Sequence, residues 1–298
     1  MASVQANGIT IEYDEQGSGD PLLLVMGLGG QLVDWPAPFV EQLADAGFRV
    51  IRFDNRDIGL STEIDAPPPT RAQLFKAVAL RRPLPAAYLL RDMANDAVAL
   101  LDVLDIDRAH VVGMSMGGMI SQEMAISAPD RVASLVSIMS TTGNRRVGQP
   151  KPKVVRTSLR RPEPTRESAI EQGVELFREI CGPTFDDAEF RELATKAFER
   201  SYRPDGTARQ LAAIIASGDR TPELRRLDVP ALVIHGLVDP LVRPSGGLAT
   251  ARAIPDSRLL MFNDMGHDLP HTRHAEIVTA ISANAARARL GASVAANG

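Results

Sequence analysis

Gly113-Met114-Ser115-Met116-Gly117 stands between an apolar run, Ala109-His110-Val111-Val112, and a helical pattern from Gly118 to Ser127. The pattern G-x-S-x-G carries meaning in this setting, at the end of a strand and the start of a helix. A serine hydroxyl is a poor nucleophile until the chain exposes it and a base takes its proton. A strand-turn-helix does the exposing, and the helix aims its free N–H groups and positive end at the reacting centre. Glycines at 113 and 117 suit a turn that crowds the backbone. A merely flexible glycine turn is the plainer alternative, and the strand-to-helix context favours Ser115 as nucleophile.

A nucleophilic serine of this type needs a base and an orienting carboxylate, in chain order Ser, Asp, His. Pro230 to Ile234 reads as a buried strand with its proline at the first position, where a strand tolerates one. It runs into His235-Gly236-Leu237-Val238-Asp239-Pro240, which puts Asp239 on a turn beyond the strand tip. A second apolar run, Ser257 to Phe262, leads to Asn263-Asp264-Met265-Gly266-His267. Ser115, Asp239 and His267 then leave three strand ends at one edge of an open α/β sheet, where such sheets place their ligands.

Strands and helices alternate around these three points, the mark of a mostly parallel sheet. Leu22 to Met26 and Arg49 to Phe53 read as strands, and Asp34-Trp35-Pro36 reads as a helix start with Asp34 as N-cap. Leu90, Met93, Ala97, Leu101 and Leu104 recur at helical spacing. After Thr142 the alternation stops. Helical patterns follow at Ile170, Val174 and Phe177, at Phe190, Leu193 and Ala197, and from Thr207 towards Gly218, with no strand until Val229. A shorter insertion, Ala66 to Ala87, contains five prolines and either borders the site entrance or is a plain surface loop. The segment 291–298 is expected to be disordered.

On these features the chain resembles α/β-hydrolase-fold enzymes from about Ile9 to Arg289. The carriers are Met26-Gly27-Leu28-Gly29-Gly30, Phe53-Asp54-Asn55-Arg56-Asp57, the Ser115 turn, His235-Gly236-x-x-Asp239 and Gly266-His267. Met26 to Gln31 and Met265 to Pro270 are most similar to small carboxylesterases and lipase-like esterases, in the group related to aclacinomycin methylesterase. The resemblance implies an α/β-hydrolase fold, a mostly parallel central sheet flanked by helices with a helical cap after the sixth strand. It places the core at 1–142 and 223–290 and the cap at 143–222. It also implies a serine carboxylic-ester hydrolase working through an acyl-enzyme on small to medium apolar esters, with Ser115 as nucleophile, His267 as general base and acid, and Asp239 as orienter. The oxyanion donors carry over to the backbone N–H groups of Leu28 and Met116. Perhydrolases, C–C hydrolases, lyases and hydrolase-like sensors share such a fold and are the alternatives.

Two positions depart from the family pattern. Met26 stands where a histidine is common, which removes one side chain that supports the oxyanion loop. Asp57 replaces a usual glycine and reads as a loop variation. Among the other candidates, Asp264 and Asp268 flank His267 too closely in sequence to reach its far ring nitrogen well, which favours Asp239. No carboxylate follows the sixth strand in Ser140-Thr141-Thr142-Gly143. His110 is expected at a strand edge, and His235 as a support of the acid loop. His271 and His274 are expected one turn apart on a solvated helix face. Met26, Met114 and Met265, with Met116, are candidate pocket lining; gap-filling in the core beneath the site is the competing reading.

Composition is ordinary for a soluble globular protein, with 44% hydrophobic and 23% charged residues, and the net charge of −4 argues against nucleic acid. The pairs Arg160-Arg161 and Arg225-Arg226 read as solvated surface. The single Cys181 rules out an internal disulfide and reads as a small buried hydrophobe. No apolar stretch reaches the length of a membrane span, and Met1 to Gln5 has no signal-peptide character, so the cytoplasm is the expected compartment. The chemistry requires no metal or organic cofactor. The expected partner is a small-molecule ester, with the oligomeric state open.

Overall fold

The computed structural model describes residues 1–80, 84–158 and 165–296. Eight strands form one sheet: β1 (Ala2–Ala6), β2 (Ile9–Gln16), β3 (Asp20–Val25), β4 (Phe48–Phe53), β5 (Ala109–Met114), β6 (Val132–Ile138), β7 (Ala231–Gly236) and β8 (Arg258–Phe262). Their order is β1-β2-β4-β3-β5-β6-β7-β8, antiparallel through β1, β2 and β4 and parallel from β4 onward. The central strands read as unbroken apolar runs because both faces are covered. In β3, Leu23 and Val25 join one core cluster while Leu22 and Leu24 join the other.

Helix α1 (Ala37–Asp45) and the last helix cover one face, with Phe39, Val40 and Leu43 meeting Ile277 and Ile281. After α2 (Arg71–Ala79), helices α3 (Leu90–Val103) and α4 (Met116–Ser127) cover the opposite face through Met93, Ala97, Ile120 and Met124. Burying a leucine or isoleucine of this kind is worth about 1.5–3 kcal/mol. Between β6 and β7 come α5 (Pro152–Ser158), α6 (Arg166–Ile180), α7 (Asp187–Arg200), α8 (Pro204–Ser217) and the short α9 (Thr221–Leu224), with no strand among the described residues. The remaining helices are α10 (Ser245–Ala253) and α11 (His274–Ala296). None of the described helices is long and apolar enough to cross a membrane.

Three local expectations change. Asp34 does not cap α1: its carboxylate accepts from Gln31 N–H at 2.7 Å and closes a short 3-10 turn, Leu32–Asp34. Pro36 drives Trp35 into extended backbone and takes the N-cap position itself. The insertion at 66–87 contains α2, whose Ala77 packs with Leu84 and with Ala212 of α8. Helix α11 runs on to Ala296, well into the segment 291–298 expected to be disordered, as its alanine-rich sequence permits. Residues 297 and 298 lie outside the described residues, as do 81–83 of the proline-rich insertion and the pair Arg160-Arg161. Arg225 and Arg226 are exposed.

Candidate active site

β5 ends at Met114, and α4 starts at Met116, so Ser115 alone makes the turn. It does so at φ +56° and ψ −118°, a conformation that costs a side-chain-bearing residue on the order of 1–3 kcal/mol. The turn is held in place by Ser115 N–H donating to Ile138 O at 2.9 Å and by Ser140 Oγ–H donating to Ser115 O at 2.7 Å. The glycines serve close approach rather than unusual dihedrals. A Cβ on Gly117 would lie 1.9 Å from Val25 O, and one on Gly113 would lie 2.2 Å from Gly117 O.

Asp239 leaves the tip of β7 as expected. Its Oδ1 accepts from Leu241 N–H and Val242 N–H, each at 2.9 Å, which aims Oδ2 at His267. His267 Nδ1 stands 2.7 Å from that Oδ2, and Nε2 stands 2.9 Å from Ser115 Oγ. Three side chains far apart in sequence thus form one hydrogen-bonded line, with Asp239 fully buried and Ser115 partly exposed. Neither rival carboxylate competes: Asp264 pairs with Arg273 at 2.9 Å, and Asp268 binds backbone. His235 Nε2–H donates to Val242 O at 2.7 Å, bracing the Asp239 turn, and burial pushes its pKa down.

The loop Gly27–Gly30 lies against this line, a Cβ on Gly27 being 3.2 Å from Ser115 Cβ. Its neighbouring donors are occupied: Gly29 N–H donates to Gln210 Oε1 at 3.0 Å and Gly30 N–H to Gly27 O at 3.2 Å. Asn55 Nδ2 donates to Met26 O at 3.1 Å. Asn55 and Gln210 of α8 thus hold this loop, which begins at Met26. Gln31 extends the tie, donating to Ala197 O at 2.7 Å and accepting from Arg200 at 2.7 Å.

The methionines are mostly core. Met26 and Met265 are buried in the cluster around Trp35 and Phe39, Met116 lies in the opposite cluster, and only Met114 is partly exposed. An unbranched side chain fills gaps under tight turns, which outweighs the pocket-lining reading for Met26 and Met265. His110 is the second residue of β5 and is buried, with Nδ1 2.9 Å from Ser134 Oγ. His271 is exposed in a 3-10 turn, but His274 is buried against Phe39, and its Nε2 lies 3.1 Å from Leu269 O. Burial, with the contact to Phe39, overrides the solvated-face expectation for His274. No group of three or more metal-ligating side chains occurs among the described residues.

Sequence reading missed Asp57. It is fully buried and bound by Arg209 of α8 at 2.7 and 2.9 Å and by Tyr88 Oη–H at 2.5 Å. It is a bolt between the helical insertion and the core, not a loop variation. Its only advance signal was a charged residue where glycine is usual. Asp34, beside Asp54 and Arg200, has its pKa raised to about 6, chiefly by burial. Cys181 is half-buried, and burial pushes its thiol up. A cavity of about 190 Å³ opens beside Gly29, lined by Ile58, Ile170, Ala194, Phe198 and Thr207 among others.

Residues 20–273 match the family model described as alpha/beta hydrolase fold. The chain is 32% identical over 294 residues to rhodomycin D methylesterase DnrP from Streptomyces peucetius, covering 90% of this chain and 93% of the relative. It is 29% identical over 273 residues to a 2-hydroxy-6-oxononadienedioate/2-hydroxy-6-oxononatrienedioate hydrolase from Burkholderia vietnamiensis, covering 87% and 85%. Among solved structures, a thermophilic esterase from Thermogutta terrifontis superposes with a TM-score of 0.71 at 25% identity, covering 97% of this chain and 99% of that one.

Proposed function

The chain belongs to the α/β-hydrolase fold family, and from that premise we propose that it is a serine carboxylic-ester hydrolase acting through an acyl-enzyme. The observation that carries the reading is the line from Ser115 Oγ to His267 Nε2 at 2.9 Å and from His267 Nδ1 to Asp239 Oδ2 at 2.7 Å. Ser115 Oγ attacks the ester carbonyl as His267 Nε2 takes its proton. Asp239 holds the ring in the tautomer that leaves Nε2 free to accept, and stabilises the imidazolium that forms. The tetrahedral oxyanion is met by Met116 N–H, in the first turn of α4, and by Leu28 N–H. Gly29 and Gly30 N–H are already engaged, which supports Leu28 as the loop's donor. His267 then protonates the leaving alcohol, and water, activated by the same ring, releases the acid.

The core of this enzyme is 1–142 with 223–290, and the helices within 143–222 act as its cap. The cavity of about 190 Å³ beside Gly29 is lined by neither Ser115 nor His267, so the size of the acyl group, small to medium on this reading, is set by the ester series below. The similarity to a methylesterase supports ester chemistry.

The test is hydrolysis of p-nitrophenyl esters from acetate to palmitate, with Ser115→Ala alongside. Turnover is expected to peak at short or medium chains and to fall by at least ~10³-fold in the variant. Full activity in Ser115→Ala would end the serine assignment. No hydrolysis by the folded wild-type protein would shift the reading to C–C cleavage or to ligand sensing on the same fold.

A further inference from the structure

The loop carrying His267 leans on the helical insertion as well as on the sheet. His267 N–H donates to Ile180 O, the last residue of α6, at 2.7 Å. Asp268 Oδ1 accepts from Gly266 N–H at 2.9 Å on its own loop and from Gly182 N–H at 3.0 Å just beyond α6. The two segments touch backbone to backbone. A Cβ on Gly266 would lie 2.5 Å from Ile180 O, and one on Gly182 would lie 2.4 Å from Asp264 O.

We propose that Asp268 is a positioning residue, whose carboxylate clasps the end of α6 to the histidine loop and so sets His267 between Asp239 and Ser115. The inference rests on the triad reading above. Asp268 does not touch the reacting atoms; it acts through His267. Its neutral isostere could take the same two N–H groups, so hydrogen bonding alone does not require a charge here. Burial opposes that charge, while the Gly182 and Gly266 N–H groups favour it. What ionisation adds is a second negative charge beside His267, which stabilises the imidazolium formed during attack. The other titratable groups facing this spot are Asp239 and His235 from the β7 side and Cys181 from the end of α6.

The experiment compares wild type with Asp268→Asn, Asp268→Ala and Gly182→Ala in full kcat and KM pH profiles on a p-nitrophenyl ester, below the melting point of each variant. Asp268→Asn keeps the acceptor and removes the charge. It should retain kcat within ~3-fold and move the acid limb of kcat/KM to lower pH by roughly half a unit. Asp268→Ala loses the clasp and should lower kcat ~30-fold with KM nearly unchanged, as expected for a misplaced base. Gly182→Ala disturbs the same contact from the other side and should lower kcat ~10-fold. Lowered melting temperatures with wild-type kcat and an unmoved acid limb would make Asp268 merely structural and overturn the proposal. Wild-type protein inactive on every ester would instead overturn the ester-hydrolase reading, and the catalytic role given to Asp268 with it.

Discussion

The two sides of the site are built differently. The Ser115 turn and the Asp239 turn are fixed by the sheet, through backbone hydrogen bonds and glycines packed against carbonyl oxygens. The Gly27–Gly30 loop is tied to the insertion between β6 and β7 by the side chains of Gln210, Gln31 and Arg200, and the His267 loop by the Asp268 carboxylate together with the backbone bond from His267 N–H to Ile180 O. Backbone packing leaves little room for adjustment. Ties to a helix of the insertion, by side chain or by backbone, shift when that helix moves. On the proposed mechanism, the nucleophile Ser115 is therefore preset by the core, while the placement of His267 and of the Leu28 N–H depends on how the insertion is seated.

The first way to break this contrast is Gly117→Ala. With a Cβ 1.9 Å from Val25 O, neither strand nor helix can yield, and soluble folded protein or activity should be lost almost completely. Near-normal activity would show that the turn is less confined than the packing implies.

A smaller effect is expected at the insertion. Arg209→Met leaves the Asp57 carboxylate buried with Tyr88 and the Ile64 N–H as its partners among the described residues. Breaking such a pair costs about 3–5 kcal/mol, to be read by denaturant unfolding. A change under ~1 kcal/mol would mean that the insertion is held by apolar contacts instead.

The smallest effect concerns Asp34, under the oxyanion loop. Its folded pKa of about 6 lies above the ordinary 3.8, so the folded state binds the extra proton between these values. Stability contributed at low pH is thus lost as pH rises from about 4 to 6, and stays lost above that. Asp34→Asn should be more stable than wild type at pH 7 by on the order of 1 kcal/mol, given partial screening by water, with no gain below pH 4. Equal melting temperatures at pH 7 would remove the burial argument.

The same contrast decides what could be read from sequence. The strand-Ser115-helix unit and the Asp239 and His267 loops announce themselves locally, because each needs small or turn-forming residues within a few positions of the functional one. Fold and sheet were legible for the same reason. The bolts on the insertion were not, because Asp57 and Arg209 lie 152 residues apart. His274 was misjudged because spacing alone does not say which helix face meets Phe39. The start of α1 was placed at Asp34 because a capping residue also closes a 3-10 turn, and only packing distinguishes the two uses.

The central claim is that Ser115 is the nucleophile of an acyl-transfer site. Its most direct test is rapid-quench mass spectrometry of the protein mixed with a p-nitrophenyl ester, followed by peptide mapping. A transient acyl group on Ser115, absent from Ser115→Ala, is the expected result. Ester turnover without any acylated Ser115, or an acyl group on another residue, would contradict it.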